Sequence, residues 1–277
     1  MVMNYIENGS ISQLLKNKSS NMSLHYKLEL FYTITIGLKE IHNRGFIHKD
    51  LHSGNILNRK LRNSHGICLI SDLGLCRPVN DQTNGKGKKI YGVLPYVAPE
   101  VLKGKVYTQA ADIYSFGILV CELLSELPPY HDLPHDEFLA LKICQGLRPK
   151  FDNIKVPRLL EKLIDQCLDA DPSKRPSANE LSDRFNEWKE ASYNSNTEFY
   201  KQYFEAEEFN KSSKSNTSSS THSQAIYCSR LLDYKDLPEP QNSKEINSLQ
   251  IDSGNFNMKG IVFISLINSI ITLTINK

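Results

Sequence analysis

The chain has 277 residues, with 33 Lys and Arg against 31 Asp and Glu and a formal net charge of +2. That length holds one or two domains, and so even a balance gives no electrostatic case for nucleic acid as a partner. With 40% hydrophobic and 23% charged residues it has the composition of an ordinary soluble globular protein.

The opening MVMNYIENGSI is a short apolar strand pattern running into a Gly turn, without the basic start or long apolar core of a signal peptide. Next, SLHYKLELFYTITIGLKEIHNRG places Leu24, Leu28, Phe31, Thr35, Leu38 and Ile41 at three- and four-residue steps, one buried helical stripe. Ser23 can cap its start and Gly45 can end it. The short pieces NIL and ICLIS then read as extended, with turn residues between them. Four further helices are expected, roughly 109–124, 136–145, 158–168 and 177–188. Pro157 and Pro176 suit the first turns of the last two. The first of the four, within AADIYSFGILVCELLSELPPY, is apolar nearly all round and so belongs in the core.

Composition shifts near residue 192. Residues 191–259, with NKSSKSNTSSSTHSQ and DLPEPQNSKEINSLQIDSGN, read as a flexible polar linker. Residues 260–277 form a short apolar tail. Its run IVFISLINSIITLTI, Ile261 to Ile275, is shorter than the roughly 20 residues of a membrane span and is rich in β-branched residues. An aggregation-prone strand is the better reading, with a membrane anchor as the alternative. The six cysteines, at 68, 76, 121, 144, 167 and 228, include no C-x-x-C pair and no zinc spacing. They read as reduced thiols of a cytoplasmic protein.

The chemistry concentrates in HKDLHSGNIL. Asn55 offers a neutral carbonyl oxygen and Asp72, in SDLG, a carboxylate, and hard cations such as Mg²⁺ take such oxygens together with phosphate oxygens. Asp50 could accept a proton from a hydroxyl. One proton acceptor, two oxygen ligands and no covalent nucleophile suit phosphoryl transfer, where positioning and charge neutralisation supply most of the catalysis. Taken singly, each of these residues is as readily a cap or turn residue. The ordered set is more telling: HKDLHSGNIL, then Asp72-Leu73-Gly74, YGVLPYVAPE, DIYSFG and DPSKRPSA.

In these blocks the chain resembles the eukaryotic protein kinases over roughly residues 1–190. The resemblance implies an α+β, protein-kinase-like fold. Its C-terminal lobe would be mainly helical, with small β-hairpins at the catalytic site and a disordered C-terminal tail. It implies ATP and Mg²⁺ as cofactors and a protein substrate. Asp50 would be the base, and Asn55 and Asp72 the magnesium ligands. Met3, Tyr5, Ile6, Ser10 and Leu57 would line the nucleotide site. His48 and Leu73 would pack in an apolar spine, with Gly74 completing the DLG turn. Glu100 would pair with Arg175, and Asp112 would hold the backbone of the catalytic loop. Thr83 and Tyr91 are candidate phosphorylation sites.

Several features depart from the family pattern. The sequence as given has no Gly-rich loop, strand Lys or partner Glu, so the small lobe is expected to be missing and the chain by itself to transfer little phosphate. A catalytically silent binding module is the alternative. Lys49 stands where an Arg is usual and cannot offer its two-pronged geometry. His52 replaces a Lys, and Val93 a Thr, of serine/threonine kinases. DLHSGN looks most like the tyrosine-kinase-like group, which favours serine or threonine as acceptor and leaves tyrosine open.

Overall fold

The computed structural model describes residues 6–17, 22–61, 64–79, 90–212 and 220–242. A capping box at Ser10 starts α1 (Ile11–Lys16). The long α2 (Leu24–Asn43) begins at Ser23, whose hydroxyl accepts the Tyr26 N–H. It ends at Arg44, and Gly45 takes a φ of +75°. Then come β1 (Phe46–Ile47), the hairpin β2 (Ile56–Leu61) and β3 (Ser64–Ile70), β4 (Arg77–Pro78) and β5 (Ile90–Gly92). In the hairpin Ile56 lies opposite Ile70 and Leu57 opposite Leu69. β1 pairs with β4, so each sheet here is a two-stranded antiparallel ribbon.

The rest is helical: α3 (Pro99–Leu102), α4 (Gln109–Ser125), α5 (Glu137–Cys144), α6 (Arg158–Cys167), α7 (Ala178–Ala191) and α8 (Glu198–Ser212). Every residue of α4 from Ala111 to Leu124 is buried, so this helix is the axis of the core. Its crossing with α6 needs Gly117, because a Cβ there would lie 2.8 Å from Leu168 Cδ2 and 2.9 Å from Cys167 Cβ. Phe185 of α7 packs on Phe31 of α2 and Phe116 of α4, with ring centroids 5.5 and 5.8 Å apart. Pro157 stands at the start of α6, one position ahead of its first helical residue. Pro176 precedes Ser177, which caps α7 with Glu180.

The stretch read as a flexible linker is structured over much of its length. α8 buries Phe199 and Ala206, and the Phe199 ring stacks on Trp188 at 4.9 Å. A last strand, β6 (Arg230–Leu232), pairs antiparallel with β5, and Leu232 and Leu237 are buried. The segment is held by a few apolar residues among many polar ones, which is why composition alone suggested a linker. Among the described residues no helix is long and apolar enough to cross a membrane, and residues 261–275 lie outside them. The architecture is the α+β, kinase-like one: a helical lobe carrying small hairpins.

Candidate active site

The loop after β1 hangs from the first turn of α4. Asp112 is 1% exposed, and its carboxylate accepts three donors. The His48 N–H reaches Oδ2 at 2.8 Å, the Lys49 N–H reaches Oδ1 at 2.9 Å, and His42 Nε2 lies 2.9 Å from Oδ2. A buried carboxylate is tolerable only when paired in this way, and a helix N-terminus adds to its stabilisation. These bonds also hold Lys49 at a φ of +73°, a left-handed conformation unfavourable for a side chain of its kind. The Lys49 ammonium lies over the Tyr107 ring, 4.8 Å from its centre, and the Tyr107 hydroxyl donates to the Tyr91 carbonyl at 3.1 Å. The loop is thereby linked to β5.

His48 is fully buried. Its Nδ1 accepts the Asp50 N–H at 3.3 Å, so Nε2 carries the proton and donates to the Ser71 carbonyl at 3.1 Å. Asn55 makes a second tie. Its side-chain NH₂ donates to the Asp50 carbonyl at 2.9 Å, and its own carbonyl accepts both the N–H and the hydroxyl of Ser71, at 2.8 and 2.9 Å. Asp50, Asn55 and the residue before Asp72 thus form one hydrogen-bonded unit. The amide bond to Asp50 uses the nitrogen of Asn55 and leaves Oδ1 as its ligand-type atom. Asp72 is exposed, at a φ of +59°, and its Oδ1 accepts the Gly74 N–H at 3.3 Å. An amide oxygen beside a carboxylate is the donor chemistry a hard divalent cation takes. Among the described residues no three His, Cys, Asp or Glu cluster as a metal site.

Asp50 is 7% exposed. Two neighbours frame its carboxylate. His52 Nδ1 accepts the Gly54 N–H at 3.1 Å, and its Nε2 lies 3.8 Å from Asp50 Oδ2. Burial depresses the His52 pKa, the Asp50 charge opposing it, so the ring stays neutral to lower pH than a free histidine. Gly92, at a φ of +155°, is the second neighbour, since a Cβ there would sit 3.8 Å from Asp50 Oδ1. Below the loop lies a network that sequence reasoning missed. Glu122 of α4 accepts the Tyr96 hydroxyl at 2.5 Å and the Ser53 hydroxyl at 3.0 Å. Burial pushes the Glu122 carboxyl up to about 7 despite both hydrogen bonds. The spacing of Ser53, Tyr96 and Glu122 carries no signal of this meeting, which requires the fold.

Glu100 and Arg175 meet as a buried two-pronged pair, with Nη1 to Oε1 and Nη2 to Oε2 both at 2.7 Å. Arg175 also donates to the carbonyls of Asp169 and Ala110, each at 2.9 Å. Leu73 is 57% exposed on a 3-10 turn that the left-handed Asp72 starts, while His48 is fully buried. Ser10 is buried, and its hydroxyl accepts the Gln13 N–H in the cap of α1. Leu57 is half-buried and forms an isolated bridge with Ser10, and the Ile6 carbonyl closes a turn with the Gly9 N–H at 3.2 Å. Tyr91 is 45% exposed on β5. Met3, Tyr5 and Thr83 lie outside the described residues.

A loop slung from the first turn of a buried helix, below a hairpin and beside a segment anchored by a Glu–Arg pair, is the architecture of the larger lobe of a protein kinase. Residues 1–185 match the family described as protein tyrosine and serine/threonine kinase, and the chain belongs to the eukaryotic protein kinase superfamily. It is similar to a probable serine/threonine-protein kinase of Dictyostelium discoideum, 33% identical over 66% of this chain and 14% of that protein. It is also similar to that organism's probable serine/threonine-protein kinase roco5, 34% identical over 66% of this chain and 7% of the relative. A protein kinase and PP2C-like domain-containing protein of Arabidopsis thaliana is 31% identical over 64% of this chain and 31% of its own length. The chain therefore spans less than a third of the length of each of these relatives.

Proposed function

We propose that this chain carries the catalytic lobe of an ATP-dependent protein kinase acting on serine or threonine hydroxyls. The single observation that supports this most is the hydrogen-bonded unit of Asp50, Asn55 and Ser71, with Asp72 next in the chain. Asp50 is the base. As a substrate hydroxyl attacks the γ-phosphorus of ATP, its proton passes to the Asp50 carboxylate and ADP leaves. Asn55 Oδ1 and the Asp72 carboxylate would hold Mg²⁺, which would neutralise charge on the phosphate oxygens. Asn55 also orients Asp50 through the loop carbonyl. His52, kept neutral by burial, leaves the Asp50 carboxylate unpaired by a full positive charge and so available as a proton acceptor. The serine/threonine relatives favour that acceptor class.

Nucleotide binding tests the reading against a silent docking lobe. Millimolar ATP with Mg²⁺ is expected to raise the Tm of the full chain, and Asp72→Asn to remove that shift. Phosphate transfer, where it is measured, should vanish in Asp50→Asn while the nucleotide-dependent shift remains. A full chain whose Tm ignores Mg²⁺ and ATP would sink the catalytic reading for this chain.

A further inference from the structure

Residues 220–242 bring a strand alongside β5, whose Gly92 borders Asp50. Backbone pairing sets their path. The His222 N–H donates to the His131 carbonyl at 2.7 Å, and the His135 N–H to the Gln224 carbonyl at 3.0 Å. Then β6 lies along β5, with Arg230 opposite Gly92, Leu231 opposite Tyr91 and Leu232 opposite Ile90. Side chains seat the same segment. The Tyr227 hydroxyl donates to the Pro129 carbonyl at 3.0 Å, and its ring stands edge-on to His135 with centroids 4.8 Å apart. Arg230 donates to the His135 carbonyl, and Leu232 is 3% exposed. Further on, Glu239 pairs with Lys105 at 2.9 Å, and the Gln241 N–H reaches the Cys144 carbonyl at 2.9 Å.

The position of this strand matters because Gly92 is the residue whose Cβ would approach Asp50 Oδ1. A chain paired with Gly92 runs past that carboxylate. A protein substrate has to bring a hydroxyl to the same place, and an extended segment laid on the β5 edge would do so. In strand addition of this kind, main-chain bonds supply general affinity and pockets for particular side chains supply selection. Here the selecting contacts are the His135–Pro129 pocket for an aromatic ring, the His135 carbonyl for a guanidinium and an apolar seat for Leu232.

We propose that the β5 edge and the His135–Pro129 pocket form a peptide-docking surface whose built-in occupant is the chain's own segment 222–237. The partner that displaces it is an extended peptide with an aromatic residue three positions before an Arg and an apolar residue two positions after it. That this peptide is also the phosphate acceptor rests on the reading of Asp50 as the base. The docking itself does not.

The test uses the full chain and a fluorescein-labelled peptide with the sequence of residues 222–240, read by anisotropy. A tethered occupant acts at an effective concentration on the order of millimolar, so the unaltered chain should bind the free peptide weakly. In the Tyr227→Ala, Leu232→Asp chain the edge is released, and binding should tighten about tenfold or more, the tethered occupant no longer competing. A peptide carrying the same two changes should not bind. Equal affinity of both chains for the peptide, or equal binding of the altered peptide, overturns the proposal. A second measurement needs no variant. Excess unlabelled peptide added to the unaltered chain should speed amide exchange in 222–237 while β5 stays protected. Unchanged exchange in 222–237 up to millimolar peptide overturns it as well. Neither readout involves nucleotide or phosphate transfer, so a chain that fails to bind ATP can still pass or fail this test.

Discussion

Asp50 and Asp72 are the two acidic groups of the site, and the lobe holds them in opposite ways. Asp50 is buried, on a loop whose left-handed residue, Lys49, is fixed by a carboxylate from another element, Asp112 of α4. Asp72 is exposed and itself left-handed, and its carboxylate accepts only the N–H of its own turn among the bonds described. The Asp50 side is therefore held by the core, through α4, whereas the Asp72 side rests on local turn chemistry. Rigid support from packed helices fixes geometry more tightly than a turn does. The Asp50 loop is fixed by the lobe itself, and the Asp72 turn by its own backbone.

The strongest way to break this contrast is Asp112→Ala. It strands the buried amides of His48 and Lys49 and removes the partner of His42, at a cost of about 4 kcal/mol. Chemical denaturation should show that loss, and amide exchange at residues 48–50 should rise well before that of α4 as a whole. A second handle on the Asp50 side is pH. The proton of Glu122 is held more tightly in the fold than in the unfolded chain, with a pKa of about 7 against 4.5. Its contribution is therefore complete below pH 4.5 and is lost as pH rises through about 7. A shift of that size corresponds to about 3 kcal/mol. Denaturant midpoints measured from pH 5 to pH 8 should fall in the native chain. Glu122→Gln, which keeps an acceptor for Tyr96, should flatten that slope. An identical slope in both proteins would place the titrating group elsewhere.

How much of this could be read beforehand depends on the kind of signal. The helices α2, α4, α5, α6 and α7 were legible to within a few residues, because a periodic or continuous apolar pattern is a local property. The spacing of HKDLHSGNIL likewise exposed Asp50 and Asn55 as a pair. The long-range meetings were not legible. Nothing near Glu122 in the chain announces Tyr96 and Ser53, and nothing near Tyr107 announces Lys49. The strand β6 is three residues in a polar stretch, and only its pairing with β5 makes it a strand. The facing of Leu73 was not legible for a related reason. One apolar residue in a turn has no periodicity to say which way it faces, and the left-handed Asp72 before it leaves it on the surface.

The smallest expected effects lie on the Asp72 side, and they sharpen the comparison because there stability and binding separate. Asp72→Ala removes the Oδ1 that caps the turn but keeps a Cβ in a left-handed residue. Asp72→Gly removes the same oxygen and also the Cβ that makes that conformation unfavourable. Glycine should therefore be the more stable of the two by about 1 kcal/mol, and it should lie close to the native chain. Both should lose the Tm increase produced by Mg²⁺ and ATP, since neither carries the carboxylate. On the Asp50 side no substitution of Asp112 should behave this way, because there the oxygen atoms satisfy loop donors that glycine leaves unpaired to the same cost as alanine. If Asp72→Gly proved as destabilising as Asp112→Ala, the turn would be bearing load from the core, and the division between a core-held Asp50 and a turn-held Asp72 would fall.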